Sequence, residues 1–248
     1  MSQLSFADIA ITDNRKESRV SIKLEKINKL VNWQEILEIV KQVDRTDKQK
    51  GGAPHKDILV KVKMLFLQYL YNLSDPELED QVNDRLSFQR FIGADFMTTI
   101  PDYTTIWRFR ERLIEEALND RLFDKILGYI EAKNLLIKKG TIVDATIIES
   151  SNRPLSKKKR EELEETPSSQ IDKDAKSTKK RGKYYFGYKG HIGTDVGSNI
   201  IRKREFSSAE LHDSQCREDL ISGDEKSVFG DTAYIDKKEK RKYREMGI

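Results

Sequence analysis

The chain has 248 residues, of which 35% are charged and 37% hydrophobic, and its formal net charge at pH 7 is +4. This length suits two small domains, and the clustering of the apolar residues argues against wholesale disorder. The single cysteine, Cys216, excludes an internal disulfide framework and a cysteine-rich zinc site.

The spacing of apolar residues predicts a helical region up to about residue 135. The expected helices are 22–43, 54–73, one that starts at the cap Ser74-Asp75-Pro76-Glu77, one that starts at Asp102, and 122–132. The most apolar stretch, 62–73, is too short to span a bilayer. The N-terminus lacks the basic region and apolar core of a signal peptide, so we expect a cytoplasmic protein without membrane contact.

Beyond Gly140 the pattern changes to β-branched runs, which predict strands. The expected elements are a buried strand over 141–148, a flexible basic insertion over about 150–183, strands over 184–196 and 199–206 joined at Gly197-Ser198, a helix over 211–221 capped by Asp213, a fourth strand over 226–230, and a charged helix or tail over 235–246. The chain is therefore predicted to be an α+β protein. A helical region over 1–135 precedes a mixed sheet with helices over 136–248.

Two aspartates stand out on the predicted strands. Asp144 lies inside the first strand between apolar residues, and Asp231 closes the fourth. A carboxylate buried in an apolar strand is costly unless something compensates it, and Mg²⁺, which prefers oxygen ligands, would compensate both. Such a site activates water and stabilises a phosphodiester under attack. The alternative is that Asp144 faces solvent and Asp231 is an ordinary turn residue, and the pattern alone does not decide between them.

A basic run between residues 176 and 189 contains no acidic residue and is interleaved with aromatic residues. Its bases are Lys176, Lys179, Lys180, Arg181, Lys183 and Lys189. Cationic groups neutralise phosphates, and aromatic faces stack on exposed bases. We interpret the basic run as a DNA contact. The aromatic residues, Tyr184 among them, are interpreted as the core of the following strand.

Three further residues are weaker candidates for DNA contact. His191 suits either a phosphate contact or pairing with a neighbouring strand. Arg108 and Arg110 crowd the helix that follows Asp102, where they suit either DNA or a solvated, salt-bridged helix face.

Several short blocks, in this order, resemble bacterial insertion-sequence transposases of the aspartate–aspartate–glutamate type, close to the insertion sequence five family. The blocks are Leu67-Gln68-Tyr69-Leu70-Tyr71-Asn72-Leu73-Ser74-Asp75, Asp102-Tyr103-Thr104-Thr105-Ile106-Trp107-Arg108-Phe109-Arg110, Val143-Asp144-Ala145-Thr146, Phe186-Gly187-Tyr188-Lys189-Gly190-His191, His212-Asp213-Ser214 and Gly230-Asp231-Thr232-Ala233-Tyr234. The resemblance implies a ribonuclease-H-like catalytic fold, with Asp144 and Asp231 as the first two metal-binding acids.

The same resemblance implies the cofactor and the partners. The cofactor would be Mg²⁺, with Mn²⁺ as an alternative. The partner would be DNA, at the element's ends and at the target, and the protein would act as a homo-oligomer on that DNA. The helical N-terminal region would take part in binding the element's ends.

The sequence departs from the family at the third acid. In the family this is a glutamate on a helix several tens of residues beyond the second aspartate, whereas the chain ends at residue 248, only 17 residues after Asp231. We therefore expect a C-terminally truncated, incomplete ribonuclease-H-like domain and a transposase that is inactive as given. The alternatives are a non-catalytic DNA-binding inhibitor of the full-length transposase and a poorly folded pseudogene product.

Overall fold

The computed structural model describes residues 18–43, 57–95, 98–156, 172–180 and 182–231, together with residues 158, 159, 161, 241 and 245. The chain divides into two compact units, Met1–Ala132 and Lys133–Ile248. Within the described residues, no helix is both long enough and apolar enough to cross a membrane.

The described part of the first unit consists of helices. They are α1 (Arg19–Leu30), α2 (Trp33–Val40), α3 (Ile58–Tyr71), α4 (Asp75–Asp84), α5 (Leu86–Ile92), α6 (Tyr103–Glu115) and α7 (Leu118–Ala132). Each contributes buried apolar side chains to one shared core. The predicted caps are confirmed, because Ser74 and Glu77 form a reciprocal capping box at α4 and Asp102 accepts a hydrogen bond from the Thr105 amide at α6.

The single helix predicted over 22–43 is wrong. The backbone is extended at Val31 and Asn32, and the Asn32 side chain accepts a hydrogen bond from the Gln34 amide, which starts α2 as a new helix. The helix predicted from residue 54 begins at Ile58, where Asp57 supplies the cap. Pro54 and the predicted linker over 44–52 lie outside the described residues.

The second unit contains a five-stranded mixed sheet. Its strands are β1 (Thr141–Glu149), β2 (Lys176–Lys180), β3 (Lys183–Asp195), β4 (Ile201–Ser208) and β5 (Val228–Gly230). The long strand β3 pairs antiparallel with β1, β2 and β4, whereas β5 pairs parallel with β1. The α+β class is thereby confirmed, while a ribonuclease-H-like topology stays a prediction.

Two predictions for this unit need correction. The insertion over 150–183, predicted to be flexible, contains strand β2, which makes the strand at Val228–Gly230 the fifth rather than the fourth. The helix predicted over 211–221 is instead a pair of short 3₁₀ turns, Asp213–Cys216 and Glu218–Leu220. His212, not Asp213, caps the first turn by accepting from the Ser214 amide. The predicted segment 235–246 lies almost wholly outside the described residues.

The sheet has a packed face and an open face. Along β1, Thr141, Val143 and Ala145 are buried and point to the packed face, where Val143 and Ala145 cluster with Leu220 of the second 3₁₀ turn. Glycine is required at position 193 of β3, since an added Cβ would lie 2.3 Å from the Leu220 carbonyl oxygen. The residues that alternate with the buried ones in β1 form the open face, which includes exposed apolar side chains: Ile142, Ile148 and Phe229.

Candidate active site and DNA interface

One candidate acid, Asp144, lies on β1, and the other, Asp231, directly follows the last residue of β5. Strands β1 and β5 pair in parallel register, with Ile142 opposite Phe229 and Val143 opposite Gly230. The pairing ends at Gly230, and Asp231 would lie opposite Asp144 if the register continued by one residue. Both residues are exposed, and the alternation of side chains along β1 puts Asp144 on the open face.

The structure changes the argument for a metal ion. Asp144 faces solvent, as the alternative interpretation has it, so the cost of burial no longer argues for a cation. Asp144 and Asp231 nevertheless supply carboxylate oxygens, which are the donor type that Mg²⁺ and Mn²⁺ take. One oxygen of Asp144, Oδ1, accepts a hydrogen bond from the Ala145 amide at 2.8 Å, which fixes the carboxylate against its own strand.

Among the residues that the structure describes, no third acid is found beside this pair. Among the described residues there is no group of three or more aspartate, glutamate, histidine or cysteine side chains suited to a metal ion. Glu149 lies five residues beyond Asp144 on β1, about 17 Å along the strand and on the opposite face by the alternation of side chains. Glu149 is therefore not placed to complete the site.

Two of the predicted DNA contacts lie on the packed face. The His191 side chain is fully buried, and its Nε2 lies 2.9 Å from the Ser207 hydroxyl. Burial lowers the pKa of His191. Lys189 donates to the Leu211 carbonyl at 2.6 Å and pairs with Asp213 at 2.8 Å. Lys189 thus holds the segment that covers the sheet, and His191 links β3 to β4, so neither side chain is presented to a ligand on the open face.

The two arginines of α6 differ. Arg110 forms a bidentate pair with Asp75, at 2.7 and 2.9 Å, and donates to Gln68 at 3.1 Å. The hydrogen bonds from Arg110 hold the pKa of the Asp75 carboxyl below its usual range. Arg110 therefore joins α6 to α4 as a salt-bridged residue, whereas Arg108 is exposed.

The basic run forms a β-hairpin, here called the basic hairpin, which consists of β2 and residues 183–187 of β3. Its bases Lys179, Lys180 and Lys183 are all exposed, and Arg181 lies outside the described residues. The interpretation of the aromatic residues as core is wrong for Tyr184, which is 75% exposed. The alternation of strand residues is a sequence signal that separates Tyr184 from its half-buried neighbour Tyr185.

Tyr188, by contrast, is tied into the fold. Its ring stacks on Phe206 with centroids 4.8 Å apart, and its hydroxyl donates to Asp172 at 2.5 Å. The hydrogen bond to Asp172 raises the pKa of Tyr188 to about 12. Asp172 also accepts from the Ser150 hydroxyl, so this network anchors the start of β2 to the end of β1.

Comparison with protein families agrees with the division into two units. Residues 11–112 match the family described as Transposase domain (DUF772), and residues 136–248 match the family described as Transposase DDE domain. Together the two matches support a DDE-type transposase. The resemblance is thereby confirmed at the level of this class of transposase, and the matches are consistent with a DNA partner. No solved structure matches the chain.

Proposed function

We propose that the protein is the transposase of an insertion sequence, similar to the insertion sequence five family, that binds the element's ends and acts on them as a homo-oligomer. The observation that carries this proposal is the parallel pairing of β1 with β5, which would bring Asp144 and Asp231 to adjacent positions if it continued by one residue. Both acids lie in the part of the chain that matches the transposase DDE domain. The helical unit matches the other transposase domain and would take part in binding the ends.

Asp144 and Asp231 would hold a divalent metal ion, Mg²⁺ or Mn²⁺. Such an ion, when bound, activates a water or hydroxyl and stabilises charge on a phosphodiester under attack. The chain's own part is to hold the two carboxylates in adjacent positions on a rigid sheet. The exposed bases Lys179, Lys180 and Lys183 would neutralise DNA phosphates, and Arg108 is a further exposed base on the helical unit.

We also propose that the 248-residue chain binds DNA without cleaving it. The described residues place no third acid beside the pair, so the metal ion would be held in a less fixed geometry. In a catalytic unit, losing one member typically removes most of the rate rather than a proportionate share. DNA affinity depends instead on exposed cations, which the described surface retains.

The test combines gel retardation with a cleavage assay on the purified chain and a labelled DNA duplex. We expect retardation that weakens as salt is raised, and no nicking or strand transfer with Mg²⁺ or Mn²⁺. Asp144→Asn and Asp231→Asn should leave retardation unchanged. Absence of DNA binding at low salt would overturn the proposed function. Metal-dependent cleavage that Asp144→Asn abolishes would overturn the claim that two acids are insufficient.

A further inference from the structure

We propose that the tip of the basic hairpin is a binding site for an unpaired nucleotide, with Tyr184 as the stacking surface and the neighbouring lysines as phosphate contacts. This inference rests on the proposed function and names a substrate class within it. The ligand is DNA with an unpaired or frayed base rather than a continuous duplex.

Tyr184 is more exposed than the other aromatic residues of its strand. It is 75% exposed, whereas Tyr188 stacks on Phe206 and Tyr185 is half-buried. A single exposed aromatic side chain is common on protein surfaces and would not by itself indicate a ligand. The independent observations that point to one are the ammonium group of Lys179 beside the ring and a pair of lysines next to it on the other side of the hairpin.

Lys179 lies directly across the hairpin from Tyr184, and its Nζ is 5.1 Å from the centroid of the ring. This is a cation–π contact on one face of the ring. Because Tyr184 is highly exposed, part of its ring surface is accessible to a base. The ammonium group of Lys179 lies beside the ring, where it would bind the phosphate of the same nucleotide. Ring and ammonium group are thus presented together on one side of the hairpin.

The next residue pair toward the turn is Lys180 opposite Lys183, and by the alternation of side chains it points to the side of the hairpin opposite to Tyr184 and Lys179. Like charges directly opposite each other on paired strands are destabilising, so this pair costs stability in the absence of an anion. No acidic residue occurs between residues 175 and 188 to compensate it. A phosphate bound between the two ammonium groups would relieve the repulsion.

The turn supports this arrangement. Because Lys180 pairs with Lys183, only residues 181 and 182 separate the strands, and Gly182 has a φ of +83°, which favours glycine. Tyr184 and the three lysines therefore all lie in the two residue pairs next to the turn, with Tyr184 and Lys179 on one side of the hairpin and Lys180 and Lys183 on the other.

Stacking selects for unpaired bases. In a duplex the faces of a base are covered by its neighbours, whereas an unpaired base has a face for an aromatic ring. Phosphates are present on both kinds of DNA, so the lysines should bind both. Substitution of Tyr184 should therefore affect binding to unpaired DNA alone, whereas substitution of the lysines should affect binding to both kinds of DNA.

The experiment measures binding of the full chain to two DNAs of one sequence, a fully paired duplex and the same duplex with a single-stranded extension carrying 2-aminopurine. We expect Tyr184→Ala to weaken binding to the extended DNA by about 5- to 100-fold and to abolish the quenching of 2-aminopurine. Tyr184→Phe should retain both. Lys180→Gln with Lys183→Gln should weaken binding to both DNAs.

The matched control is Tyr69→Ala, which removes a tyrosine of similar exposure, 68%, from the helical unit. It should leave the quenching unchanged and should not alter the ratio of the affinities for the two DNAs. If Tyr184→Ala leaves both DNAs unaffected, or weakens them equally, the stacking site is wrong while DNA binding stands. If the unaltered chain binds neither DNA, the proposed function itself fails.

Discussion

The two units of the chain are stabilised in different ways. In the helical unit, buried apolar side chains from α1 through α7 form one continuous core, with Trp33 packed edge-on against Phe66 and Phe91. In the sheet unit, the described apolar cluster contains only Val143, Ala145 and Leu220 as buried members. Most of the order in the sheet therefore comes from its backbone ladder and from buried polar groups.

Two buried carboxylates, Asp195 and Glu225, show how polar groups order the sheet. Asp195 is fully buried and accepts hydrogen bonds from the Ile137 and Lys138 amides and from the Ser198 hydroxyl. Glu225 accepts from the Thr141 hydroxyl and pairs with buried Arg202. These polar contacts brace one end of the sheet.

The largest expected effect is on the helical core. Phe88 is fully buried, and its ring centroid lies 5.0 Å from that of Tyr71. Phe88→Ala should lower the free energy of unfolding of the helical unit by about 3–5 kcal/mol, because it leaves a cavity. Urea unfolding followed by tryptophan fluorescence measures this. The exposed control Tyr69→Ala should change the value by less than about 0.5 kcal/mol, and a similarly small effect of Phe88→Ala would contradict the core assignment.

A smaller but still clear effect is expected at Asp195. Asp195→Ala removes the acceptor of three hydrogen bonds, and buried donors left unpaired cost about 1–3 kcal/mol. We expect a loss of about 3 kcal/mol in the sheet unit, with the helical unit unchanged. Hydrogen exchange resolves the two units separately. Asp174→Ala, an exposed aspartate of the same unit, is the control. Equal protection of β1 and β3 in the variant and the unaltered chain would show that polar bracing is unimportant.

The smallest expected effect is the pH dependence at His191. Burial lowers the pKa of the folded state, so the unfolded chain, with a histidine pKa of about 6.5, binds more protons below that pH. Stability of the sheet unit should therefore decrease as the pH falls from about 6.5 toward the lowered pKa. Asp213 and Glu205 oppose this shift and Lys189 adds to it. His191→Gln should flatten the dependence in this window. If stability depends on pH equally in His191→Gln and in the unaltered chain, the attribution of this pH dependence to His191 is contradicted.

Local sequence signals predicted much of the fold, and long-range packing explains what they missed. The caps at Ser74 and Asp102 and strand β1 depend on neighbouring residues, and all are present. Strand β2 was missed because polar, lysine-rich residues give no strand pattern, and it is defined only by pairing with β3.

Local sequence signals were likewise insufficient at the candidate site. The alternation along β1 puts Asp144 and Val143 on opposite faces of the sheet. Which of these faces is buried depends on Leu220, which packs against Val143 and lies far along the chain. For that reason the sequence did not predict that Asp144 would be exposed and His191 buried. The strand pattern singled out Asp144 and Asp231, and the resemblance added their role as metal-binding acids. The pairing of β1 with β5 was not predicted, because it joins residues that are far apart in the chain.

The central claim is that Asp144 and Asp231 act together on the open face as a metal-binding pair. Titration of Mn²⁺ into the 248-residue chain, with free Mn²⁺ followed by electron paramagnetic resonance, tests this most directly. We expect weak binding that is lost equally in Asp144→Asn and Asp231→Asn and retained in Asp219→Asn, which alters an exposed aspartate of the 3₁₀ turn at Glu218–Leu220. Binding that survives either of the first two substitutions, or no binding in the unaltered chain, would contradict the claim.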